Sequence, residues 1–459
     1  MARSDSSTTR TTTPSCADPL RLPLLLPPLE SSPFYGKAVV NVSEEQSAKV
    51  ELPWQRKSLP LAVIDAKEHF TRPVGPIEHE DADECPIDIK NIGWTLGNDC
   101  PYRCTHCYSM SAREKGMDFT PEIVDRIVEQ LAANDVETVN LGGNEPLFTN
   151  GPNPKNTLLP RIIDGLTDAG IIVGLTTSGI TALHLERDHN ASWRRLNDLD
   201  ISFDSPFEDE HNANRGAKIY KQAIRTLELA KEYGLDHSII MCAMNWNFTQ
   251  AHLEGLLELA VKYDAHLRIN PIKPVESKHM DSLLPAEQYY EGFSFLMKHC
   301  SPVDLGEPPI AAVTDYQNAK GCPCGRTSFR IHSITPDGRI PVSPCVYLHD
   351  YKVGDLRVDN LYDIIRSPQF ASFRRRNANP HLLEGCEGCE LLQSCRGGCA
   401  GRSYLHHAHE TGKRSLFVRD PYCPKDVAPK QEFPQQPTVP TDKRLVHMDY
   451  LCTWIGKPK

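Results

Sequence analysis

Short apolar runs alternate with amphipathic stretches along the chain from about residue 90 to residue 300. Most of the runs are bounded by turn-forming residues, which is typical of short strands that are buried in a sheet. The six runs are NIGWTL, VETVNLGG, IIVGLTTSG, DLDISFDS, HSIIMCAMN and HLRINPI. Their alternation with helices predicts an α/β fold with a parallel sheet, and such sheets place chemistry at the carboxyl ends of their strands.

The stretches between the runs carry helix signals. In TPEIVDRIVEQLAAN, Thr120 is the expected N-cap and Pro121 takes the first helical position. Three apolar side chains of the same stretch share one face, namely Ile123, Ile127 and Leu131. Further helices are predicted near 158–170, 218–233, 249–263 and 285–300.

Composition changes along the chain and suggests domain boundaries. Residues 1–35 are rich in Ser, Thr, Arg and Pro, which predicts a disordered leader before an N-terminal extension at 36–89. The strand and helix pattern occupies 90–300, and a linker at 301–320 leads to a cysteine-rich domain at 321–426. The Pro-rich segment 427–459 is expected to lie extended over the surface.

Charge and apolar content exclude several classes of partner. The net charge is −10 over 459 residues, so the chain has no basic footprint for nucleic acid or an anionic membrane. The apolar run LRLPLLLPPL is short and broken by prolines, so it fits neither a secretory signal nor a membrane span. We therefore expect a cytoplasmic protein, whose 16 cysteines are better explained as metal or cluster ligands than as disulfides.

Three of these cysteines follow the first predicted strand in NDCPYRCTHCYSM. Cys100, Cys104 and Cys107 provide three thiols, and no fourth cysteine follows in the next hundred residues. An iron–sulfur cube held by three thiolates keeps one iron free for a small molecule. A zinc ion that recruits a distant fourth ligand is the alternative.

The stretch CPYRCTHC after the first strand of an α/β repeat resembles the radical S-adenosylmethionine (radical SAM) superfamily. The resemblance implies a partial (β/α)6 TIM-like barrel whose [4Fe-4S] cluster binds S-adenosyl-L-methionine and cleaves it reductively to a 5′-deoxyadenosyl radical. It also implies a reductant such as flavodoxin or ferredoxin. LGGNEPLF resembles the motif that holds the cofactor's amino group, here Gly142, Gly143, Glu145 and Pro146, with Asn144 inserted. Ser178 and Ser202 end the next two strands, where the superfamily contacts the rest of the cofactor.

A second set of cysteines resembles the SPASM extension of radical enzymes that act on peptides. The family pattern implies one auxiliary cluster on Cys386, Cys389, Cys395 and Cys423. A second auxiliary cluster is implied on Cys399, Cys345 and the upstream pair Cys322 and Cys324, whose spacing is tighter than usual. A zinc ribbon is the alternative explanation for CEGC.

These features predict hydrogen abstraction from an unactivated carbon of a natural-product precursor. The SPASM resemblance favours epimerisation, oxidation or crosslinking of a ribosomal peptide, and a sugar epimerase or dehydrogenase of an antibiotic pathway is the alternative. A non-catalytic iron–sulfur electron carrier explains the cysteines but not the α/β repeat. Cys242 lies late in the fifth strand and is a candidate hydrogen donor to a substrate radical, although a buried core cysteine is the ordinary interpretation.

Overall fold

The computed structural model describes residues 87–109, 117–315, 317–426, 433 and 435–459. The predicted leader and nearly all of the N-terminal extension lie outside these residues, as do Cys16 and Cys85. The six predicted strands are all present. They are β1 (Asn91–Thr95), β2 (Thr138–Gly142), β3 (Ile172–Thr177), β4 (Asp198–Ser202), β5 (Asp236–Ala243) and β6 (His266–Pro271).

Helices connect successive strands, as expected for a sheet in which all six strands run parallel. They are α1 (Pro121–Ala133), α2 (Leu159–Asp168), α3 (Ile180–Asp188), α4 (Asn190–Trp193), α5 (Glu208–Arg215), α6 (Tyr220–Tyr233), α7 (Gln250–Tyr263) and α8 (Ala286–His299). Thr120 caps α1, because its hydroxyl accepts a hydrogen bond from the Ile123 N–H. The predicted partial (β/α)6 barrel is thus confirmed.

The sheet continues beyond the six strands at both edges. Its order is β7-β10-β6-β5-β4-β3-β2-β1-β8-β9, where β7 is Cys300–Leu305, β8 is Ser328–Ile331, β9 is Val342–Ser343 and β10 is Trp454–Pro458. The predicted linker at 301–320 therefore contains most of a strand and also α9 (Pro308–Thr314). The run CSPVDL alternates too weakly for its sequence to show a strand, which forms because β10 pairs with it.

The cysteine-rich region has loops and the short strands β8 and β9, as its sequence suggests, but also short helices that the sequence did not predict. Its helices are α10 (Leu361–Ile365), α11 (Pro368–Ala378), α12 (Leu392–Cys395) and α13 (Ala400–Thr411). Strand β8 pairs with β1 in parallel, so this region is joined to the barrel through the sheet itself.

The C-terminal segment differs from the predicted surface tail. Leu445, Val446 and Tyr450 are at most 2 % exposed, and β10 lies antiparallel between β6 and β7. The segment 445–452 crosses the barrel interior, where the Val446 side chain lies 2.8 Å from the position that a Cβ would take at Gly174 of β3. A Pro-rich sequence gave no sign of this because the partners of the segment lie far away in the chain.

Apolar side chains from both faces of the sheet form one large core that extends from the barrel into the cysteine-rich region. In the part of the chain that the structure describes, no helix is both long and apolar enough to cross a membrane.

Candidate functional site

A cavity of about 1070 Å³, its open mouth included, lies at the carboxyl ends of the barrel strands. It is where an α/β barrel is expected to hold its ligand. Its walls bring together nearly all predicted residues of the cofactor site: Cys100, Cys104, Cys107, Gly143, Glu145, Ser178, Ser202 and Cys242. Gly142 ends β2 and Pro146 follows Glu145, so both belong to the adjoining turn.

The three-cysteine loop is held by the end of α5. The backbone N–H of Arg103 donates to the Arg215 carbonyl at 3.2 Å, and that of Thr105 donates to the Asn214 carbonyl at 3.0 Å. Gly216 ends the helix at φ +64°, and a Cβ there would lie 3.0 Å from the carbonyl oxygen of Arg103. The loop therefore needs a residue without a side chain at position 216.

A buried ion pair lies next to this loop. Arg215 Nε is 2.6 Å from Asp204 Oδ2, and Arg215 Nη1 is 3.9 Å from the Cys104 sulfur. Burial alone would raise the pKa of the Asp204 carboxyl, but Arg215, His106 and His211 together outweigh that effect and lower the pKa below its usual range. Asp204 stays ionised, and it also accepts the backbone N–H of Cys242 at 3.3 Å. Through Arg215 and the Cys242 N–H, Asp204 therefore links the three-cysteine loop to β5. An ionised carboxylate cannot donate a proton.

Glu145 and the inserted Asn144 have different surroundings. The Glu145 carboxylate accepts hydrogen bonds from the Ser178 N–H at 3.0 Å, the Thr181 N–H at 3.3 Å and the hydroxyls of Thr177 and Thr181. Asn144 is 9 % exposed and donates to the Gly97 carbonyl at 2.6 Å, whereas its Oδ1 has no partner. The free acceptor at this turn is therefore the Asn144 amide, which the family pattern did not indicate.

The glycine before Asn144 is required by close packing. Gly143 has φ +92°, and a Cβ there would lie 2.2 Å from Arg330 Nη2 and 2.6 Å from the Thr95 hydroxyl. A side chain at this position would displace Arg330 from the cavity wall.

A further part of the cavity wall comes from segments of the chain that sequence reasoning did not assign to the site. Arg330 on β8 donates to the Tyr450 hydroxyl at 2.7 Å, and its Nη2 is buried without a partner. Lys273 donates to Asn270 Oδ1 at 2.9 Å and lies 5.2 Å from the centre of the Tyr347 ring. No motif marks these residues, because each is an isolated side chain in its own segment. Arg330 and Lys273 give this part of the cavity wall a positive charge.

Cys242 lies on β5 and lines the same cavity. Burial is the main cause that raises the pKa of its thiol, and the negative charge of Asp204 raises it further. The sulfur is therefore protonated near neutral pH, as a hydrogen-atom donor must be.

The cysteines after residue 320 fall into two groups. Cys386, Cys389, Cys395 and Cys423 line one small cavity of about 320 Å³ beside Asp420. The predicted ligands of the other cluster, Cys322, Cys324, Cys345 and Cys399, share one buried cluster and are at most 5 % exposed. Asp420 lies between the two groups. Its Oδ2 accepts a hydrogen bond from the Cys399 N–H at 2.7 Å, and its Oδ1 accepts one from the N–H of Tyr422, the residue before Cys423, at 3.0 Å.

These donor sets fit iron–sulfur clusters, which proteins hold with sets of cysteine thiolates. Gly401 supports the fit, because a Cβ there would lie 3.0 Å from the Cys345 sulfur and crowd the thiols. Among the described residues, no three His, Cys, Asp or Glu side chains form a ready site for a single metal ion.

Comparisons with known proteins match both halves of the chain. Residues 94–260 match the radical SAM superfamily, and residues 322–390 match SPASM, an iron–sulfur cluster-binding domain. Among curated proteins, the mycofactocin maturase MftC of Mycobacterium ulcerans (strain Agy99) is 25% identical over 328 residues, which are 68% of this chain and 84% of that protein. A probable GTP 3′,8-cyclase of Methanosarcina acetivorans is 22% identical over 306 residues, 63% of this chain and 86% of the cyclase.

Solved structures share the fold at low sequence identity. Native anSMEcpe with bound AdoMet and the Kp18Cys peptide has a TM-score of 0.55 and 16% identity, over 73% of this chain and 95% of that one. Streptococcus suis SuiB bound to the precursor peptide SuiA has a TM-score of 0.53 and 14% identity, over 74% and 77%. The likeness supports the same architecture of barrel and cysteine-rich domain.

Proposed function

The chain is a radical SAM enzyme with a C-terminal SPASM domain, and we propose that it modifies a peptide by abstracting hydrogen from one of its unactivated carbons. One observation carries the proposal. A single cavity joins the three-cysteine loop and the Asn144 turn to a wall that carries the cations Lys273 and Arg330, and the SPASM half supplies Arg330 and Tyr347 of this wall. Proteins of the same fold support a peptide substrate, since anSMEcpe and SuiB are both described with peptides bound.

The residues at the three-cysteine loop and the Asn144 turn suit a bound cofactor. A cluster on Cys100, Cys104 and Cys107, with S-adenosylmethionine bound, supplies a 5′-deoxyadenosyl radical when a small carrier such as flavodoxin or ferredoxin reduces it. In our proposal the Asn144 Oδ1 accepts a hydrogen bond from the amino group of the cofactor. Ser178 and Ser202 contact the rest of it from the ends of β3 and β4, and the Glu145 carboxylate holds the turn against Thr177 and Thr181.

The cationic part of the cavity wall suits a substrate with hydrogen-bond acceptor groups. Lys273 and the free Nη2 of Arg330 offer donors to backbone carbonyls or a carboxylate. Cys242 offers a protonated thiol, and a carbon radical readily takes a hydrogen atom from sulfur. The thiyl radical left on Cys242 would then regain an electron from the same reductant and a proton from solvent. We propose epimerisation as the reaction class, with oxidation or crosslinking as the result when the radical loses an electron to an auxiliary cluster instead.

The test is an anaerobic assay with reduced, iron-loaded protein. We expect 5′-deoxyadenosine from S-adenosylmethionine without substrate, and faster release with a synthetic peptide encoded by a short reading frame beside the gene. Cys104→Ala should abolish the release, whereas Cys395→Ala should keep the uncoupled release and lose the modified peptide. Stoichiometric zinc in place of iron and sulfide would overturn the proposal.

A saccharide substrate is the competing outcome of the same assay. Stimulation by an aminoglycoside, with no response to the peptide, would replace peptide modification by sugar modification. Equal loss of S-adenosylmethionine cleavage in folded Cys104→Ala and Cys395→Ala would contradict the division between the two halves.

A further inference from the structure

The C-terminal segment brings a fifth thiol to the auxiliary site that Cys322, Cys324, Cys345 and Cys399 form. The sulfur of Cys452 lies 3.5 Å from that of Cys322, and its side chain also contacts Cys399. Cys452 is 2 % exposed and belongs to the same buried cluster as the other four cysteines. Sequence spacing gave no sign of this, because 130 positions separate Cys452 from Cys322.

The position of Cys452 is fixed from both sides. Before it, the Val446 N–H is bonded to Asp198 and the Tyr450 hydroxyl to Arg330. After it, Trp454 opens β10, which is paired on both edges with β6 and β7. The Cys452 carbonyl is 3.4 Å from the Lys273 ammonium. A thiol held in this way reaches the site through the fold and not through a flexible end.

We propose that Cys452 is a ligand of this auxiliary iron–sulfur cluster. A four-iron cluster takes four protein thiolates, and five thiols converge here. The CPC pair, Cys322 and Cys324, places two thiols only two positions apart, so in our proposal this pair supplies one ligand and Cys452 completes the set of four with Cys345 and Cys399. Cys452 thereby connects the cluster to Tyr450 and Leu451, which line the active cavity two residues and one residue earlier.

This inference rests on the cluster assignment of the proposed function, and iron content tests it separately from catalysis. The wild-type protein is expected to hold about twelve irons in three four-iron clusters. Cys452→Ala should lose about a third of them. The 5′-deoxyadenosine release without substrate should persist, because the three-cysteine loop is untouched.

Cys300→Ala is the matched control. Cys300 is a fully buried thiol on β7 and pairs with Pro458 of β10, so its removal also alters packing round the C-terminal strand. It lies in neither of the two auxiliary groups. This variant should keep the full iron content and the wild-type electron paramagnetic resonance spectrum of the reduced protein.

Cys452→Ser is a second variant that tests the proposal even if Cys452→Ala does not fold. A serine oxygen in place of sulfur should shift the resonance and midpoint potential of one cluster and leave the other two unchanged. Full iron content in Cys452→Ala together with wild-type spectra in Cys452→Ser overturns the proposal. Wild-type protein without iron contradicts the proposed function instead.

Discussion

At the scale of single residues, Asn144 and Glu145 have different roles in one turn: Glu145 holds the turn in place, and Asn144 offers a free acceptor. The Glu145 carboxylate is saturated by donors from β3 and α3, while the Asn144 Oδ1 is buried without a partner in the cavity wall. The sequence located the turn through its two glycines and its proline. It could not show which of the two polar side chains keeps a free acceptor, because the insertion shifts the register of the motif.

Asn144→Ala should weaken S-adenosylmethionine binding about tenfold or more, the size expected for losing one hydrogen bond to a charged group. Equilibrium binding to the iron-loaded protein measures this, with iron content as the check that the cluster is intact. Glu145→Gln should act mainly on stability, since it replaces an acceptor with a donor among buried N–H and hydroxyl groups. Unchanged affinity in Asn144→Ala would remove Asn144 from the binding site.

Also at the residue scale, replacement of Cys242 tests the reaction class. If its thiol returns hydrogen to the substrate, turnover in deuterated water should place one deuterium at the inverted carbon. Cys242→Ala should still release 5′-deoxyadenosine but give an oxidised or quenched product, which mass spectrometry distinguishes. Inversion at the wild-type rate in this variant would exclude Cys242, and a product two hydrogens lighter without deuterium would indicate oxidation or crosslinking.

At the scale of elements, the end of α5 decides how the three-cysteine loop is held. Two glycines compare directly, because Gly216 and Gly234 both end helices in the left-handed conformation, at φ +64° and +61°. A Cβ at Gly234 meets nothing within 4 Å, whereas at Gly216 it meets Arg103 of the loop. Gly216 and Gly234 therefore have nearly the same backbone strain but differ in what a side chain would contact.

Gly216→Ala and Gly234→Ala should each lower the free energy of unfolding by about 1 kcal/mol, the cost of a Cβ in this conformation. Only Gly216→Ala should speed iron loss from the three-cysteine site, because only there must the loop move. The rate of chelator-induced bleaching measures this loss in protein whose auxiliary cysteines are intact. Equal bleaching rates in the two variants would show that the contact with Arg103 does not hold the loop.

Elements were predictable from sequence to the extent that their contacts are local. The six barrel strands and their helices follow from apolar runs and caps, because neighbouring strands are also neighbours in sequence. Strands β7 and β10 could not be found in this way, since each depends on the other across about 150 positions. The same distance concealed Tyr450 and Cys452, whose roles arise only when the C-terminal segment enters the barrel.

At the scale of the whole molecule, the C-terminal segment connects the two halves, and one buried carboxyl makes its attachment depend on pH. Asp198 of β4 accepts the Val446 N–H, and burial together with the nearby charge of Asp200 raises its pKa to about 7. The folded protein therefore keeps a proton on Asp198 between about pH 4 and 7 that the unfolded chain has released. Stability from this group falls as pH rises through that window, because the folded state binds more protons.

Asp198→Asn removes this titration while keeping an oxygen that can accept the Val446 N–H. Denaturant unfolding at pH 5.5 and pH 8 should show a smaller loss of stability with rising pH in the variant than in the wild type. Arg268 and His447 also lie near Asp200, so only the difference between the two proteins is informative. Identical pH dependence in both would mean that Asp198 is ionised throughout.

The placement of β10 also sets an order of events during synthesis. The ribosome delivers the segment 445–458 after every strand, cysteine and cavity residue that it contacts. Until then β6 and β7 cannot be joined through β10, and each presents unpaired N–H and C=O groups that invite wrong pairing with other chains. The cavity also lacks the wall that His447, Tyr450 and Leu451 supply. A nascent chain that already holds its three-cysteine loop is thus kept from a finished active site until its own closing strand arrives.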